Sequence, residues 1–454
     1  MRINLILPMC EDRKEDRGDG LVLPPLNLPT LAALVPPGVD VVISDDRFGE
    51  VNFSEKYDIV GITCITETAL RAYEIADEYR SRGAKVVLGG IHPTLLTNEA
   101  LQHADAVVRG DAFVTWPQLI NDVGAGNLQR IYDAYPLPGI ENIPYPRFDL
   151  LNEKNYFSWA RLVNATRGCY QTCTFCSCTS FWEATYRTRP VRDVVREIEQ
   201  TDRPIIAFVD DDMSGHPRYA RELFRALIPL KKKWVTQTRI ALLKDPELLE
   251  LAAESGCIAV FVGLESVSQQ TIRNMQKHQN IVEHYPRLIE NAHRHGICVE
   301  GGFVFGFDDD DASTFEHTLE FILNSQLDSI NINVLHPIPG TPIFSQLDRQ
   351  GRMLSHRWAD WSDHAKAVYQ PKNLSPHELE SGTAWVLQQT YSLPHIAERF
   401  VKTSSHSRWL TPFFMLKQNF SYRRRRVKFW REQGYRAYNP ASHRRPARNL
   451  GIAS

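Results

Sequence analysis

The chain has 454 residues, 43% hydrophobic and 23% charged, which is long enough for two or three soluble domains with a sizeable core. No run of about 18 apolar residues occurs, so no membrane-spanning helix is expected. The opening apolar run stops at Pro8 before the charged stretch Glu11 to Asp19 and reads as a first strand instead of a signal peptide, giving an expected cytoplasmic location. The formal net charge of −2 hides an asymmetry, because residues 423–448 carry ten Lys/Arg against the single acidic Glu432.

Residues 1–133 alternate short apolar runs with helix-like periods. Strands are predicted at Ile3 to Leu7, Val39 to Ile43, Ile59 to Thr63, Lys85 to Leu88 and Ala106 to Val108. Helices are predicted at Leu26 to Val35, Glu67 to Arg82, Leu95 to His103 and Phe113 to Val123, which together give a doubly wound α/β domain. Such sheets bind ligands beyond the carboxyl ends of their strands. There the sequence places Thr63, Gly89, Gly90, His92, Arg109 and Gly110. The paired glycines suit either close backbone approach to a ligand or a tight turn.

Residues 134–155, with Pro136, Pro138, Pro144 and Pro146, read as an extended linker. Strand–helix alternation then resumes over 156–341. Six strands are predicted, at Leu162 to Thr166, Ile205 to Asp210, Trp234 to Thr238, Ala259 to Gly263, Val299 to Phe305 and Ser329 to Leu335. Helices follow at Val191 to Gln200, Arg218 to Leu230, Pro246 to Ser255, Val282 to His295 and Ala312 to Ser325. Directly after the first of these strands stand Cys169, Cys173 and Cys176, spaced CxxxCxxC. Three thiolates can hold three irons of a 4Fe-4S cluster and leave the fourth open for chemistry. Zinc would need a fourth ligand, and Cys178 would make that site cramped. Cys64, Cys257 and Cys298 read as small core residues. Residues 342–454 become helical and aromatic-rich, with a capping box at Ser375-Pro376-His377-Glu378 starting a helix towards Leu393.

The three cysteines, with Phe175 just before the last, resemble the signature of radical S-adenosylmethionine (radical SAM) enzymes. The resemblance implies a partial (β/α)6 barrel, a 4Fe-4S cluster on Cys169, Cys173 and Cys176, S-adenosylmethionine on the open iron, and its cleavage to a 5′-deoxyadenosyl radical. It places Phe175 near the adenine and Asp211, within Asp210-Asp211-Asp212, towards the amino group. Glu265 and Ser266 resemble the ribose-binding segment, and the run from Gly302 to Gly306 resembles the strand whose backbone lies against adenine. Arg239 could reach a carboxylate of the cofactor or pair with the aspartate cluster. Tyr170 and Cys178 flank the cluster as candidate catalytic residues.

Upstream, the strand-end segments and Pro24-Pro25-Leu26 resemble the cobalamin-binding domain found ahead of many radical SAM enzymes. Asp-x-His-x-x-Gly is absent, so cobalamin is expected without a histidine below its cobalt. The expected activity is methyl transfer to an unactivated carbon of a small-molecule or lipid substrate, with radical cyclisation or rearrangement as the alternative. An RNA methylthiotransferase would need three cysteines in the first domain, where only Cys10 and Cys64 occur. A non-catalytic cobalamin sensor would leave the barrel's strand-end segments without a role. Expected partners are an electron donor such as flavodoxin or ferredoxin and an anionic membrane surface touched by Trp409 to Leu416 and the basic tail, with nucleic acid not expected.

Overall fold

The computed structural model describes residues 1–9, 22–361 and 366–427. The first sheet contains β1 (Arg2–Leu7), β2 (Asp40–Asp45), β3 (Ile59–Thr63), β4 (Lys85–Gly89), β5 (Ala106–Arg109) and β6 (Ile131–Asp133). Their order is β2-β1-β3-β4-β5-β6 and every neighbouring pair is parallel. Helices cover both faces, so the strands are apolar on both sides, and β1 buries four consecutive residues. Strand order reverses between β1 and β3, and the carboxyl end of that switch point is where such a sheet opens for a ligand.

One predicted helix differs. The segment read as Leu95 to His103 is two helices, Ile91–Leu95 and Thr97–His103, separated at Leu96, whose φ of −122° and ψ of 53° leave the helical region. The very short β6 carried no sequence signal, since only its middle residue is buried.

The second sheet starts with β7 (Ala160–Val163). An antiparallel hairpin follows, β8 (Thr166–Gly168) with β9 (Tyr186–Thr188), and the cysteines lie in its connection. Then come β10 (Ile205–Phe208), β11 (Lys233–Thr238), β12 (Cys257–Glu265), β13 (Cys298–Phe305) and β14 (Ser329–Val334). The six-stranded parallel order β14-β13-β12-β11-β10-β7 makes the partial barrel, with helices such as Ala312–Asn324 on its outer face. Along β13, Phe303 and Phe305 face those helices, packing edge-on against Phe321 and Phe315. Alternate residues therefore face the opposite side of the sheet.

The last two C-terminal helices pack at the amino end of this barrel. Ser375 and Glu378 form the expected capping box of the helix Pro376–Thr390, at 3.1 and 2.7 Å. Leu393–His406 and Thr411–Tyr422 follow. In the last helix Met415 is buried against Ala259 and Cys298, while Gln418 and Tyr422 donate to the two oxygens of Glu300 at 2.5 and 2.7 Å. The apolar run Trp409 to Leu416 is thus split. Phe414 packs on Phe157 and Trp159, whereas Trp409, Leu410 and Phe413 remain 41%, 41% and 61% exposed. No helix among the described residues is long and apolar enough to cross a membrane.

Candidate active site

The cysteine loop is pinned at both ends by backbone geometry. Gly168 sits at φ +91°, and a Cβ there would stand 2.1 Å from the Thr185 carbonyl oxygen, so only glycine fits. Its N–H donates to Asp211 at 2.8 Å. Further along, Thr174 N–H donates to Met275 O at 3.1 Å and Ile343 N–H to Thr174 O at 3.1 Å, holding the loop against the ends of the barrel strands. Cys173 is buried and Cys169 and Cys176 are half-buried.

Burial pushes the Cys169 thiol up and that of Cys173 up to about 11. Cys176 is held down to about 7 by a hydrogen bond from Cys178, which favours its thiolate. Cys178 also lies 2.9 Å from Asp211 Oδ1 and therefore has two acceptors for one proton. Among the described residues, the only His/Cys/Asp/Glu set with all ligand atoms within 4.8 Å lies elsewhere, at His293, Asp328 and His406. The three thiols are therefore not gathered around a single-ion centre, and their spread fits a cluster with irons at separate corners better than mononuclear zinc.

Phe175 is half-buried with its ring edge-on to Phe307 at 5.6 Å, so the loop touches the end of β13. The three adjacent aspartates divide their work. Asp210, fully buried, accepts from Ala165 N–H at 3.1 Å and Thr166 Oγ1 at 2.6 Å, and burial pushes its carboxyl up to about 7. Asp211 serves the cysteine loop. Asp212 takes the Arg239 guanidinium and Ser214 Oγ, the latter at 3.0 Å. Of the two partners expected for Arg239, the structure shows the pairing with the aspartate cluster, through Asp212.

Glu265 lies at the end of β12, where the pairing with β13 shifts register, and has φ +66°. A glutamate in the left-handed region is strained backbone, the kind that persists where a side chain must be aimed. It is paired at 2.5 Å with Lys277, a buried lysine that no sequence spacing singled out. Burial alone would lower the Lys277 ammonium, but Glu265 beside it holds it above its usual value. Ser266 is buried and accepts from Ser268 N–H at 3.1 Å, while the helix cap itself is Ser268. The two glycines of the run expected to face adenine are each closely packed on the side a Cβ would take. A Cβ on Gly302 would lie 2.7 Å from the Phe261 ring, and one on Gly306 2.1 Å from the Tyr369 hydroxyl. Tyr170, half-exposed, stacks on Tyr186 at 5.2 Å.

A cavity of about 380 Å³ opens at the switch point of the first sheet and extends to the barrel. Thr63, Gly89, Gly90 and Gly110 line it from the strand ends of the first sheet, Arg167 and Trp182 from the hairpin and the helix in its connection, and Asp211 from the loop after β10. Two expected residues are withdrawn from it. His92 is 1% exposed and turned into the interior, with Nδ1 3.1 Å from Thr66 Oγ1 and Nε2 3.1 Å from the Tyr73 hydroxyl. Arg109 is paired with Asp133 at 2.5 Å. Neither lines the cavity, and among the described residues no histidine does. Cobalamin bound there would meet Ile65, 43% exposed at the end of β3, and no imidazole. The mixture of apolar walls with a few convergent polar groups suits a large, amide-rich cofactor.

Residues 163–322 match the Radical SAM superfamily and residues 20–120 the B12 binding domain. The chain is 31% identical over 408 residues to bacteriochlorophyllide d C-12(1)-methyltransferase of Chlorobaculum tepidum, covering 87% of this chain and 89% of that one. It is 29% identical over 356 residues to bacteriochlorophyllide d C-8(2)-methyltransferase of the same organism, covering 74% and 78%. The fold resembles that of TsrM, a radical S-adenosylmethionine methyltransferase from Kitasatospora setae solved with cobalamin and a 4Fe-4S cluster, at TM-score 0.68 and 14% identity over 95% of this chain and 99% of that one. It also resembles OxsB, a cobalamin-dependent S-adenosylmethionine radical enzyme, at TM-score 0.65 and 15% identity over 94% and 71%.

The two domains and the cysteine loop define a radical SAM enzyme with a cobalamin-binding domain. The chain belongs to the cobalamin-dependent radical SAM methyltransferase family. Its cofactors are a 4Fe-4S cluster, S-adenosylmethionine and cobalamin.

Proposed function

We propose that this enzyme transfers a methyl group to an unactivated carbon of a small apolar molecule, with a bacteriochlorophyllide-like macrocycle as the first substrate to test. The observation that carries the reading is Asp211. It lines the cavity of the first domain and hydrogen-bonds to both Gly168 and Cys178 of the cysteine loop, so one carboxylate links the two cofactor regions. In such an enzyme the cluster and S-adenosylmethionine supply a radical that removes hydrogen, and cobalamin carries the methyl group.

The residues then take distinct tasks. Cys169, Cys173 and Cys176 hold the cluster, and the Phe175–Phe307 pair offers an apolar edge to adenine. Glu265 presents a carboxylate oxygen to ribose while Lys277 fixes it. Thr63, Gly89, Gly90 and Gly110 cradle cobalamin, with residues 1–133 as its domain, 134–155 as linker, 156–341 as the barrel and 342–454 as the C-terminal region. An external flavodoxin or ferredoxin supplies electrons. Trp409, Leu410 and Phe413, exposed together, offer loose contact with a membrane where an apolar substrate resides; the basic tail beyond residue 427 lies outside the described residues. Cyclisation is the second reading, because the chain is 29% identical over 341 residues to the anaerobic magnesium-protoporphyrin IX monomethyl ester cyclase of Rubrivivax gelatinosus. It spans only 61% of that protein.

Anaerobic incubation with reductant, cobalamin, bacteriochlorophyllide and S-adenosylmethionine labelled in its methyl group tests the proposal. The label should appear on carbon of the product. A product that gains a ring and no label would make the cyclase reading correct.

A further inference from the structure

Asp328 lies just before β14, wholly buried, and among the described residues no lysine or arginine forms an ion pair with it. Two imidazoles converge on it instead. His293 Nε2 is 2.9 Å from Oδ2 and His406 Nε2 is 3.0 Å from Oδ1. The three residues come from three elements: the last turn of the helix Tyr285–Arg294, the approach to β14, and the end of the helix Leu393–His406. All three ligand atoms lie within 4.8 Å of one another. The imidazole rings are stacked, with centroids 3.7 Å apart and planes at 17°.

Each oxygen of Asp328 already has another donor, Val299 N–H on Oδ2 at 2.8 Å and Thr403 Oγ1 on Oδ1 at 2.7 Å. The carboxylate is thus oriented without relying on the imidazoles. His293 Nε2 is hydrogen-bonded to Oδ2, whereas His406 Nε2, although close to Oδ1, is buried and makes no hydrogen bond of acceptable geometry. Outer contacts that orient a carboxylate while two imidazole nitrogens approach it are the usual surroundings of a bound metal.

We propose that His293, Asp328 and His406 bind a divalent ion of the Zn²⁺ class. Two imidazoles and one carboxylate suit zinc, whereas magnesium and calcium prefer oxygen ligands alone. Three protein ligands leave one corner of a tetrahedron for water or a further ligand. The site lies at the amino ends of β13 and β14, at the opposite end of the barrel from the cysteine loop, so it is independent of the iron–sulfur cluster. Its role is structural. It ties the helix Leu393–His406 to the barrel floor, where ligand geometry and folding are coupled.

The test uses the full-length holoenzyme, incubated with zinc chloride and then desalted, with zinc and iron measured by elemental analysis. About one zinc per chain is expected in addition to the cluster iron. His293→Gln and His406→Gln should lose zinc and keep iron, and replacing Cys169, Cys173 and Cys176 together by alanine should lose iron and keep zinc. Should the glutamine variants fail to fold, zinc-edge X-ray absorption of the unmodified holoenzyme decides, with imidazole nitrogen expected around the ion. Absence of retained zinc, equal zinc in the glutamine variants, or a zinc shell of sulfur alone would each overturn the site.

Discussion

Asp111, which caps the helix Ala112–Gly124 in the cobalamin-binding domain, receives Arg167 of β8 at 2.7 and 2.6 Å and Arg187 of β9 at 3.2 Å. One buried carboxylate thereby fastens the first domain to the hairpin that carries the cysteines. Burial alone would raise its pKa, but the two guanidinium charges hold it below the usual carboxylate value.

Asp111→Asn should leave two arginines poorly compensated beside the cavity, at a cost of about 3–5 kcal/mol. A lower unfolding midpoint and faster cobalamin loss on gel filtration are expected. Because the folded pKa is depressed, this contribution is fully present above the unfolded value of about 3.9 and fades as pH falls through the lower folded one. Denaturant titrations should therefore show the variant's deficit at neutral pH shrinking only below about pH 4.

Cys178→Ala should retain a full cluster, since Cys178 hydrogen-bonds to Cys176 and Asp211 and is not needed as a ligand. Loss of that donor to a cluster sulfur should lower the reduction potential, measured by redox titration followed by electron paramagnetic resonance. Alanine at Cys169, Cys173 or Cys176 should instead abolish the iron–sulfide absorbance. A full cluster in any of these three would refute the ligand assignment.

Cobalamin should bind base-off without a protein nitrogen on cobalt, because His92 is held by Thr66 and Tyr73 away from the cavity. His92→Gln should reduce stability by about 1–3 kcal/mol through lost buried hydrogen bonds and leave the cobalt(II) resonance unchanged. Nitrogen splitting in the parent protein that vanishes in the variant would show the placement of His92 to be wrong.

Lys277→Met should strand the buried Glu265 at the strained end of β12 and cost about 3–5 kcal/mol. Lys277 also stands near Cys173 and Cys176 and favours their thiolates, so slower cluster reconstitution is expected alongside weaker retention of S-adenosylmethionine in equilibrium binding. Unchanged binding of S-adenosylmethionine would remove Glu265 from the cofactor site.

The cysteine loop was legible because the ligand requirement of a cluster is written in short spacing, and the eleven long parallel strands because burial on both faces leaves continuous apolar runs. The three-residue strands β6, β8 and β9 were not, since a half-exposed strand of that length has no period to read. Position at a strand end was legible but side-chain direction was not. Thr63 and Asp211 face the cavity, whereas His92 and Arg109, from equally promising segments, turn to Tyr73 and Asp133. Lys277 and the histidines around Asp328 join residues far apart in sequence, so only the fold brings them together.

The central claim is that hydrogen removal from substrate carbon and methyl delivery to that carbon occur in one turnover. It is tested most directly with substrate deuterated at the accepting carbon and S-adenosylmethionine deuterium-free. Mass spectrometry should find one deuterium in 5′-deoxyadenosine for each methylated product formed. Methylated product accompanied by 5′-deoxyadenosine without deuterium would contradict it.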